Sequence, residues 1–321
     1  MEIIKSLEAI EEQKDECCLA LGTFDGVHLG HRSVLDTMLA KAKKSKLASA
    51  VFTFQGHPRG QVINRQPPPL LSTLDEKIVL LEKLGVEKLF TFEFTKDFAD
   101  MSPEEFFLFL LRLKVKAIVI GFNYTFARER CGTVELLEEL GQKYGVSVDV
   151  VIPFHLQKSI VSSTLIRQLI HDGEIEEANL LLDYPYAMQG RVVHGFKNGR
   201  KIGFPTANLD FPKEKAVPAN GVYAVELVLH DQCYQGVCNV GYRPTFRGRS
   251  LSIETHILDF AADIYNEFIT VRFLARIRPE QHFIGITELV AQIKKDEQFA
   301  RDYFLRQKRY QRFLEKYSDL I

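Results

Sequence analysis

The stretch "CCLALGTFDGVHLGHRSVL", residues 17–35, decides the fold of the first half of this chain. An apolar run from Cys17 to Leu21 stops at a glycine, a glycine-rich turn containing His28 and His31 follows, and a new apolar pattern then begins. This order predicts a buried strand, a tight loop and a helix. A helix that starts behind such a loop presents free N–H groups and the positive end of its dipole, so the stretch favours an anion-binding site.

The first half of the chain alternates between strand and helix patterns. Short apolar runs rich in strand formers lie at Cys17–Leu21, Ala48–Phe54, Lys88–Phe92, Val115–Gly121 and Val146–Ile152. Between them, "SPEEFFLFLLRLK" opens with a capping box of Ser102 and Glu105 around Pro103, and "TVELLEELGQKYG" runs from Thr133 to Gly145. The alternation predicts a parallel sheet with helices on both faces, which binds ligands at the carboxyl ends of its strands.

The second half changes character near residues 183–189. Its runs are short and β-like, as in "GVYAVELVLH" and "QCYQGVCNVG", and no long helical pattern appears until about Ile286. This pattern predicts an antiparallel barrel or sandwich closed by C-terminal helices. We therefore expect two domains, residues 1–184 and residues 185–321.

Charge and composition exclude several classes of partner. The 321 residues carry 41 basic and 42 acidic side chains, so no global field attracts nucleic acid or anionic lipid. The start, "MEIIKSLEAIEEQKDE", is too polar for a signal peptide, and no apolar run is long enough to span a bilayer. Five cysteines without a CxxC pair favour reduced thiols, and we expect a cytoplasmic protein with no nucleic-acid or membrane partner.

The loop with His28 and His31 has three interpretations. It could hold two ordinary surface histidines, it could bind a metal, or it could bind phosphate. No cysteine or carboxylate cluster with zinc spacing lies nearby, which weakens the metal interpretation. Gly22, Gly26 and Gly30 let the backbone approach a ligand closely, and the strand–loop–helix context favours a nucleotide.

The string "GTFDGVHLGH", residues 22–31, resembles the signature of the HxGH nucleotidyltransferase superfamily, in the form found in bacterial bifunctional riboflavin kinase/FAD synthetases. "VSSTLIR", residues 161–167, resembles the second nucleotide motif of that family, and "GFNYTFARERCG", residues 121–132, resembles a third. Serines before an apolar helix are also explained by helix capping alone. The resemblance implies a catalytic set of His28, His31 and Arg167. It also implies that ATP is contacted by Gly22, Phe24, Asp25, Gly30, Asn123, Ser162, Ser163 and Thr164.

The chain departs from the family pattern at three places. Residues 56–58 read Gly-His-Pro where the family usually has Pro-His-Pro, and Ala127 follows Phe126 where the family usually has glycine. Thr23 stands at a position often held by Asn or another residue. The alanine removes flexibility from its loop, whereas the HxGH and SST motifs are whole.

The reaction that the resemblance implies for the first domain is adenylyl transfer. The phosphate of FMN attacks the α-phosphorus of ATP, FAD forms and pyrophosphate leaves. A phosphate monoester is already anionic at neutral pH, so the reaction needs alignment and charge stabilisation rather than a strong general base.

The segment "GFPTANL", residues 203–209, is the sharpest pattern of the second half. Pro205 stiffens the chain before Thr206 and Asn208, whose two-residue spacing points both side chains to one face of an extended segment. A hydroxyl and an amide oxygen suit Mg²⁺ beside ATP phosphates, although a tight turn capped by Thr and Asn explains the same pattern.

"GFPTANL", followed by "NGVYAV", "GVCNVGYRPTF" and "SIETHILDF", is similar to the riboflavin kinase module. The similarity implies that Glu254 is the general base that takes the proton of the ribityl 5′-hydroxyl as its oxygen attacks the γ-phosphorus of ATP. From alternation alone, Glu254 faces either solvent or a ligand cavity. By the same similarity ATP contacts Gly203, Pro205, Thr206 and Asn208, the last two also hold Mg²⁺, and "ARIRPEQHF" closes on the flavin through Arg278 and Glu280.

These observations predict a Rossmann-like α/β domain, residues 1–184, that makes FAD and a β-barrel domain, residues 185–321, that makes FMN. The implied substrates and products are riboflavin, FMN, FAD, ATP, ADP and pyrophosphate, with Mg²⁺ as the cofactor. The alternatives are a riboflavin kinase with weak adenylyltransferase activity, an HxGH transferase for another phosphate monoester, and a non-catalytic flavin-binding protein. The sequence leaves open whether the chain forms a homo-oligomer.

Overall fold

The computed structural model describes residues 1–55, 67–156, 159–195, 198–245 and 248–316. The chain divides into two compact units, Met1–Ile166 and Arg167–Ile321. Among the helices in the described ranges, none combines the length and apolar character that a bilayer crossing requires. The Gly-His-Pro departure at residues 56–58 lies outside the described residues, and the functional division at residues 184 and 185 stays a prediction.

A six-stranded parallel sheet forms the centre of the first unit. Its strands are β1 Glu2–Ile4, β2 Cys17–Leu21, β3 Ala48–Gln55, β4 Lys88–Glu93, β5 Val115–Gly121 and β6 Ser147–Val151, in the spatial order β1-β4-β3-β2-β5-β6. The predicted parallel sheet is confirmed. A short hairpin of β7 His155–Leu156 and β8 Ser159–Ile160 follows β6.

Helices cover both faces of this sheet. The helices of the first half are α1 Leu7–Glu11, α2 Leu29–Ser45, α3 Leu74–Lys83, α4 Lys96–Asp100, α5 Pro103–Arg112, α6 Val134–Tyr144 and α7 Ser163–Asp172. Cys17, Leu19 and Leu21 of β2 pack into the core that α5 and α6 share, whereas Cys18 and Ala20 pack against α2. Burial on both sides explains why β2 is a continuous apolar run rather than an alternating one. The capping box of Ser102 and Glu105 is present as predicted.

The second unit contains a closed antiparallel barrel. Its strands are β9 Ala187–Val193, β10 Ala207–Asp210, β11 Gly221–Leu229, β12 Gln232–Thr245, β13 Gly248–Ile257 and β14 Phe268–Pro279, in the order β10-β13-β12-β11-β14-β9. Its helices are α8 Ile175–Leu182, the short α9 Asn198–Lys201 and α10 Ile286–Lys316. The sheet therefore closes as a barrel rather than a sandwich, and the C-terminal helical region described here is one long helix.

Candidate active sites

The loop between β2 and α2 is held in an uncommon backbone conformation. Phe24, Gly26 and Val27 have φ angles of 46°, 80° and 38°. Positive φ is rare for a β-branched residue, and Val27 is only 1% exposed. Such conformations cost on the order of 1–3 kcal/mol each and persist only where the surroundings hold them. The backbone strain therefore lies in the segment for which the sequence predicts phosphate binding.

His28 caps helix α2 through its ring. Its Nδ1 accepts the backbone N–H of His31 at 3.2 Å, and the two imidazole rings stack with centroids 3.7 Å apart. Because Nδ1 provides the accepting lone pair, the neutral ring carries its proton on Nε2. The buried His28 ring therefore lies at the amino end of α2, beside the first N–H groups of that helix. The edge of Phe24 packs on His31, with centroids 5.3 Å apart.

Asp25 links the loop between β2 and α2 to two other segments of the chain through hydrogen bonds. Its buried carboxylate accepts the backbone N–H groups of Leu71 and Ser72 at 2.9 and 3.0 Å, and the Ser72 hydroxyl accepts the N–H of Gly26. The backbone carbonyl of Asp25 accepts the hydroxyl of Ser163 at 3.0 Å. These bonds join the first sequence motif to the second. The predicted contact of Asp25 with ATP stays a prediction.

The second motif begins helix α7. Ser162 caps this helix, since its hydroxyl accepts the N–H of Leu165 at 3.3 Å. Gly30 lies against this segment, because a Cβ there would be 3.1 Å from the carbonyl oxygen of Val161. Thr164 is exposed in the first turn of α7. Arg167 lies in the next turn, in the second unit, and its predicted role is untested.

The third motif follows β5, the neighbour of β2 in the sheet. Asn123 is exposed, and its Oδ1 lies 3.7 Å from where a Cβ of Gly121 would stand. Its position at the carboxyl end of β5 places it at the same sheet edge as the histidine loop. Ala127, where the family usually has glycine, has φ 63° and ψ −173°, a conformation that glycine adopts far more readily than alanine.

Polar side chains form a row across three neighbouring barrel strands. Glu254 on β13 is the cross-strand partner of Asn208 on β10 and of Asn239 on β12. The flanking Ile253 and Thr255 are each 1% exposed and point to the opposite face. Glu254 is thus one of a set of polar groups, not an isolated strand residue. Asn239 was missed by the sequence reasoning, although an amide within the apolar string "GVCNVG" was a usable signal.

Thr206 and Asn208, the residues predicted to contact ATP and Mg²⁺, are hydrogen-bonded within this row of polar side chains. The Thr206 hydroxyl donates to Glu254 Oε2 at 3.3 Å, and Asn208 Nδ2 donates to the Thr206 carbonyl at 3.4 Å. Pro205 is held by His256, whose Nδ1–H donates to the Pro205 carbonyl at 2.8 Å. Gly203, at φ 89°, provides the turn that enters this segment.

Hard oxygen donors at Thr206 and Asn208 fit Mg²⁺ that arrives with a nucleotide. Mg²⁺ commonly takes only one or two protein oxygens and completes its shell with phosphate and water. Over the described ranges, no group of three or more His, Cys, Asp or Glu side chains gathers as a self-sufficient metal cage. The donor set therefore suits a cation shared with ATP phosphates.

The two predicted flavin residues have different surroundings. Arg278 makes a bidentate ion pair with Asp296 of α10, with bonds of 2.8–3.1 Å, and Asp296 is 3% exposed. Glu280 accepts from Asn220 Nδ2 at 3.3 Å. Its other oxygen would lie 2.6 Å from a Cβ at Gly241, which places the carboxylate beside Asn239. Glu280 therefore lies near the polar row, whereas Arg278 fastens a helix to the barrel.

A buried cation that the sequence reasoning missed lies under the histidine loop. Lys77 of α3 donates to the carbonyl oxygen of Thr23 at 2.7 Å, and burial lowers its pKa to about 8. Its position on an ordinary amphipathic helix, far from the loop in sequence, gave no signal.

Comparisons with known proteins match both halves of the chain. Residues 10–165 match the FAD synthetase family, and residues 182–304 match the riboflavin kinase family. The bifunctional riboflavin kinase/FMN adenylyltransferase of Bacillus subtilis is 40% identical over 302 residues, which cover 92% of this chain and 95% of the relative. The enzyme of the same name from Escherichia coli K12 is 37% identical over 95% of this chain and 98% of its own.

A solved structure from Streptococcus pneumoniae, described as a macrolide-efflux protein, is 34% identical and superposes with a TM-score of 0.85. The alignment covers 94% of this chain and 99% of that one. Its description belongs to that protein alone, and the likeness supports the two-unit fold. Both family matches occur in order, and the relatives align over nearly their whole length, so this chain belongs to the bifunctional riboflavin kinase/FMN adenylyltransferase family.

Proposed function

We propose that the histidine loop of the first unit binds ATP and adenylylates FMN, and that the polar row on the barrel phosphorylates riboflavin. The observation that carries the division is that His28 and His31 lie in the first compact unit, whereas Thr206, Asn208 and Glu254 lie in the second. The first set offers N–H donors around His28, and the Asp25 carboxylate of the same loop is bound to the N–H groups of Leu71 and Ser72. The second set places Glu254 beside Thr206 and Asn208.

In the phosphorylation, the ribityl 5′-hydroxyl attacks the γ-phosphorus of ATP and ADP leaves. Glu254 accepts the hydroxyl proton, since an alcohol is a poor nucleophile until that proton is removed. The Thr206 hydroxyl, at 3.3 Å, orients the carboxylate. Thr206 and Asn208 would hold the Mg²⁺ that arrives with ATP, and the ion would neutralise phosphate charge.

In the adenylyl transfer, a phosphate oxygen of FMN attacks the α-phosphorus of ATP, the bond to the β-phosphate oxygen breaks and pyrophosphate leaves. The Nε2–H of His28 and the first N–H groups of α2 donate to the phosphates as charge develops. His31 stacks on His28 and restricts its ring to one orientation.

We also propose a cytoplasmic location, which the five free cysteines support.

The test is a chromatographic time course with riboflavin, ATP and Mg²⁺, using oxidised and chemically reduced flavin. Glu254→Gln should lower FMN formation by about 10²-fold or more and spare FAD formation from added FMN. His28→Ala should lower FAD formation from added FMN and spare FMN formation from riboflavin. Equal loss of both activities in either folded variant would overturn the division.

A further inference from the structure

Lys77 is a buried ammonium group that touches the histidine loop through the backbone. It is 6% exposed, and its Nζ lies 2.7 Å from the Thr23 carbonyl oxygen and 3.5 Å from Thr53 Oγ1. Thr53, on β3, is 1% exposed and donates its own hydroxyl to the same carbonyl at 3.1 Å. Two buried donors therefore converge on one oxygen of the loop.

The segment that leads into α3 holds the loop at a second point. The N–H groups of Leu71 and Ser72 bind the Asp25 carboxylate. The two points of attachment, Thr23 and Asp25, flank Phe24, where φ is 46°. The left-handed turn that aims the start of α2 is thus fixed on both sides by residues 71–77.

A lysine at this position is costly for folding. Burial disfavours its charged form, which lowers its pKa to about 8, and the nearby Asp25 carboxylate offsets only part of that effect. An apolar side chain of similar length would fill the same space without the desolvation cost. The ammonium group therefore binds the Thr23 carbonyl at a cost in stability.

We propose that Lys77 is a positioning residue for adenylyl transfer, which by holding the Thr23 carbonyl fixes the loop that carries His28 and His31. The inference rests on the proposed function of that loop. Lys77 touches no reacting atom, so its loss should impair the alignment of the transition state more than the binding of the substrates.

The decisive variant is Lys77→Met, which keeps the length of the side chain and removes the donor. We expect kcat for FAD formation from FMN to fall about 100-fold per folded molecule, with KM for ATP changed less than about threefold. Riboflavin phosphorylation, measured in the same sample, should stay within about twofold of wild type.

The matched control is Lys88→Met. Lys88 is also 6% exposed in the first unit, but its Nζ binds Gln13, Asp15 and Glu2 at the amino end of β4, the sheet edge opposite the loop. We expect Lys88→Met to reduce stability and to leave kcat for FAD formation unchanged. An equal fall of kcat in both lysine variants would show a general structural effect and overturn the proposal.

Two more variants complete the test. If Lys77→Met does not fold, Thr53→Val decides the matter: the loss of the second donor should lower kcat about 3- to 10-fold, and an unchanged kcat overturns the proposal. If His28→Ala abolishes FAD formation but Lys77→Met does not, the Lys77 inference is wrong and the proposed function stands. If neither variant affects FAD formation, the proposed function of the loop fails.

Discussion

At the scale of single residues, Ala127 shows how one departure from a family pattern alters local energetics. Its φ of 63° and ψ of −173° lie in a region that glycine occupies readily and alanine at a cost of about 1–3 kcal/mol. Ala127→Gly should raise the unfolding free energy of the first unit by about 1 kcal/mol, after the greater entropy of glycine in the unfolded chain is subtracted.

Urea unfolding of that unit measures the effect of the glycine. Ala99→Gly is the matched control, because Ala99 lies in helix α4, where the same change should lower stability by about 0.5–1 kcal/mol. Opposite signs at the two sites are expected. A loss of stability at both sites would show that Ala127 is not strained.

The lowered pKa of Lys77 implies that the stability of the folded chain depends on pH. Its pKa is about 8 in the folded chain against an ordinary 10.5, so between these values the unfolded chain binds more protons. The unfolding free energy therefore rises with pH through this window, and the contribution of Lys77 amounts to about 3 kcal/mol. Lys77→Met should lack this rise.

At high pH the buried thiols have the opposite effect on the unfolding free energy, which they lower as pH rises. Burial raises the pKa of Cys17 to about 12 and that of Cys18 to about 11, so their contribution to stability falls as pH rises above 9. The difference in unfolding free energy between wild type and Lys77→Met cancels these thiols, because both chains contain them. A difference that stays constant from pH 7 to pH 10.5 would contradict the prediction.

Several site residues were predictable from sequence because each belongs to a local pattern. His28 and His31 lie three apart at a strand–helix joint, and Thr206 and Asn208 lie two apart in an extended segment. Lys77 was not predictable, since its bond to Thr23 spans 54 positions along the chain. No local periodicity records such a contact.

At the scale of elements, the ion pair of Arg278 and Asp296 joins β14 to α10. The side chains are 14% and 4% exposed, and Gln292 donates a further bond to the carboxylate. Asp296→Asn should lower the unfolding free energy of the second unit by about 3 kcal/mol, because a mostly buried guanidinium would lose its counter-charge. Chemical unfolding of the full chain measures this loss.

A second ion pair on the same helix provides the control. Arg301 binds Asp259, but Asp259 is 76% exposed, so Asp259→Asn should cost less than about 1 kcal/mol. Similar losses in the two variants would contradict a structural role for the Arg278 pair. If Arg278→Met raises the KM for riboflavin far more than Asp296→Asn does, a direct contact of Arg278 with flavin is supported instead.

Strand positions were easier to predict than strand pairing. β2 and β5 begin and end at the predicted residues, because mainly apolar runs flanked by polar segments define buried parallel strands. The barrel order β10-β13-β12-β11-β14-β9 was not predictable, since closure depends on contacts distant in sequence. For the same reason the alignment of Asn208, Glu254 and Asn239 emerged only from the register of three strands.

At the scale of the whole molecule, the chain divides into two compact units, and we propose one activity for each. FMN is the product of one proposed site and the substrate of the other. If each proposed site works without the other, the two steps should not require the same copy of the chain.

Mixing two inactivated variants tests this independence. Neither His28→Ala nor Glu254→Gln alone should make FAD from riboflavin at an appreciable rate: the first stops at FMN, and the second forms FMN about 10²-fold more slowly than wild type. Together they should make FAD, because FMN released by one variant diffuses to the other, and the lag should match that of wild type at equal concentrations of working sites. The opposite result is that wild type forms FAD without a lag and without free FMN, whereas the mixture forms FAD only after FMN has accumulated. That result would show that the two sites are coupled within one molecule and would contradict their independence.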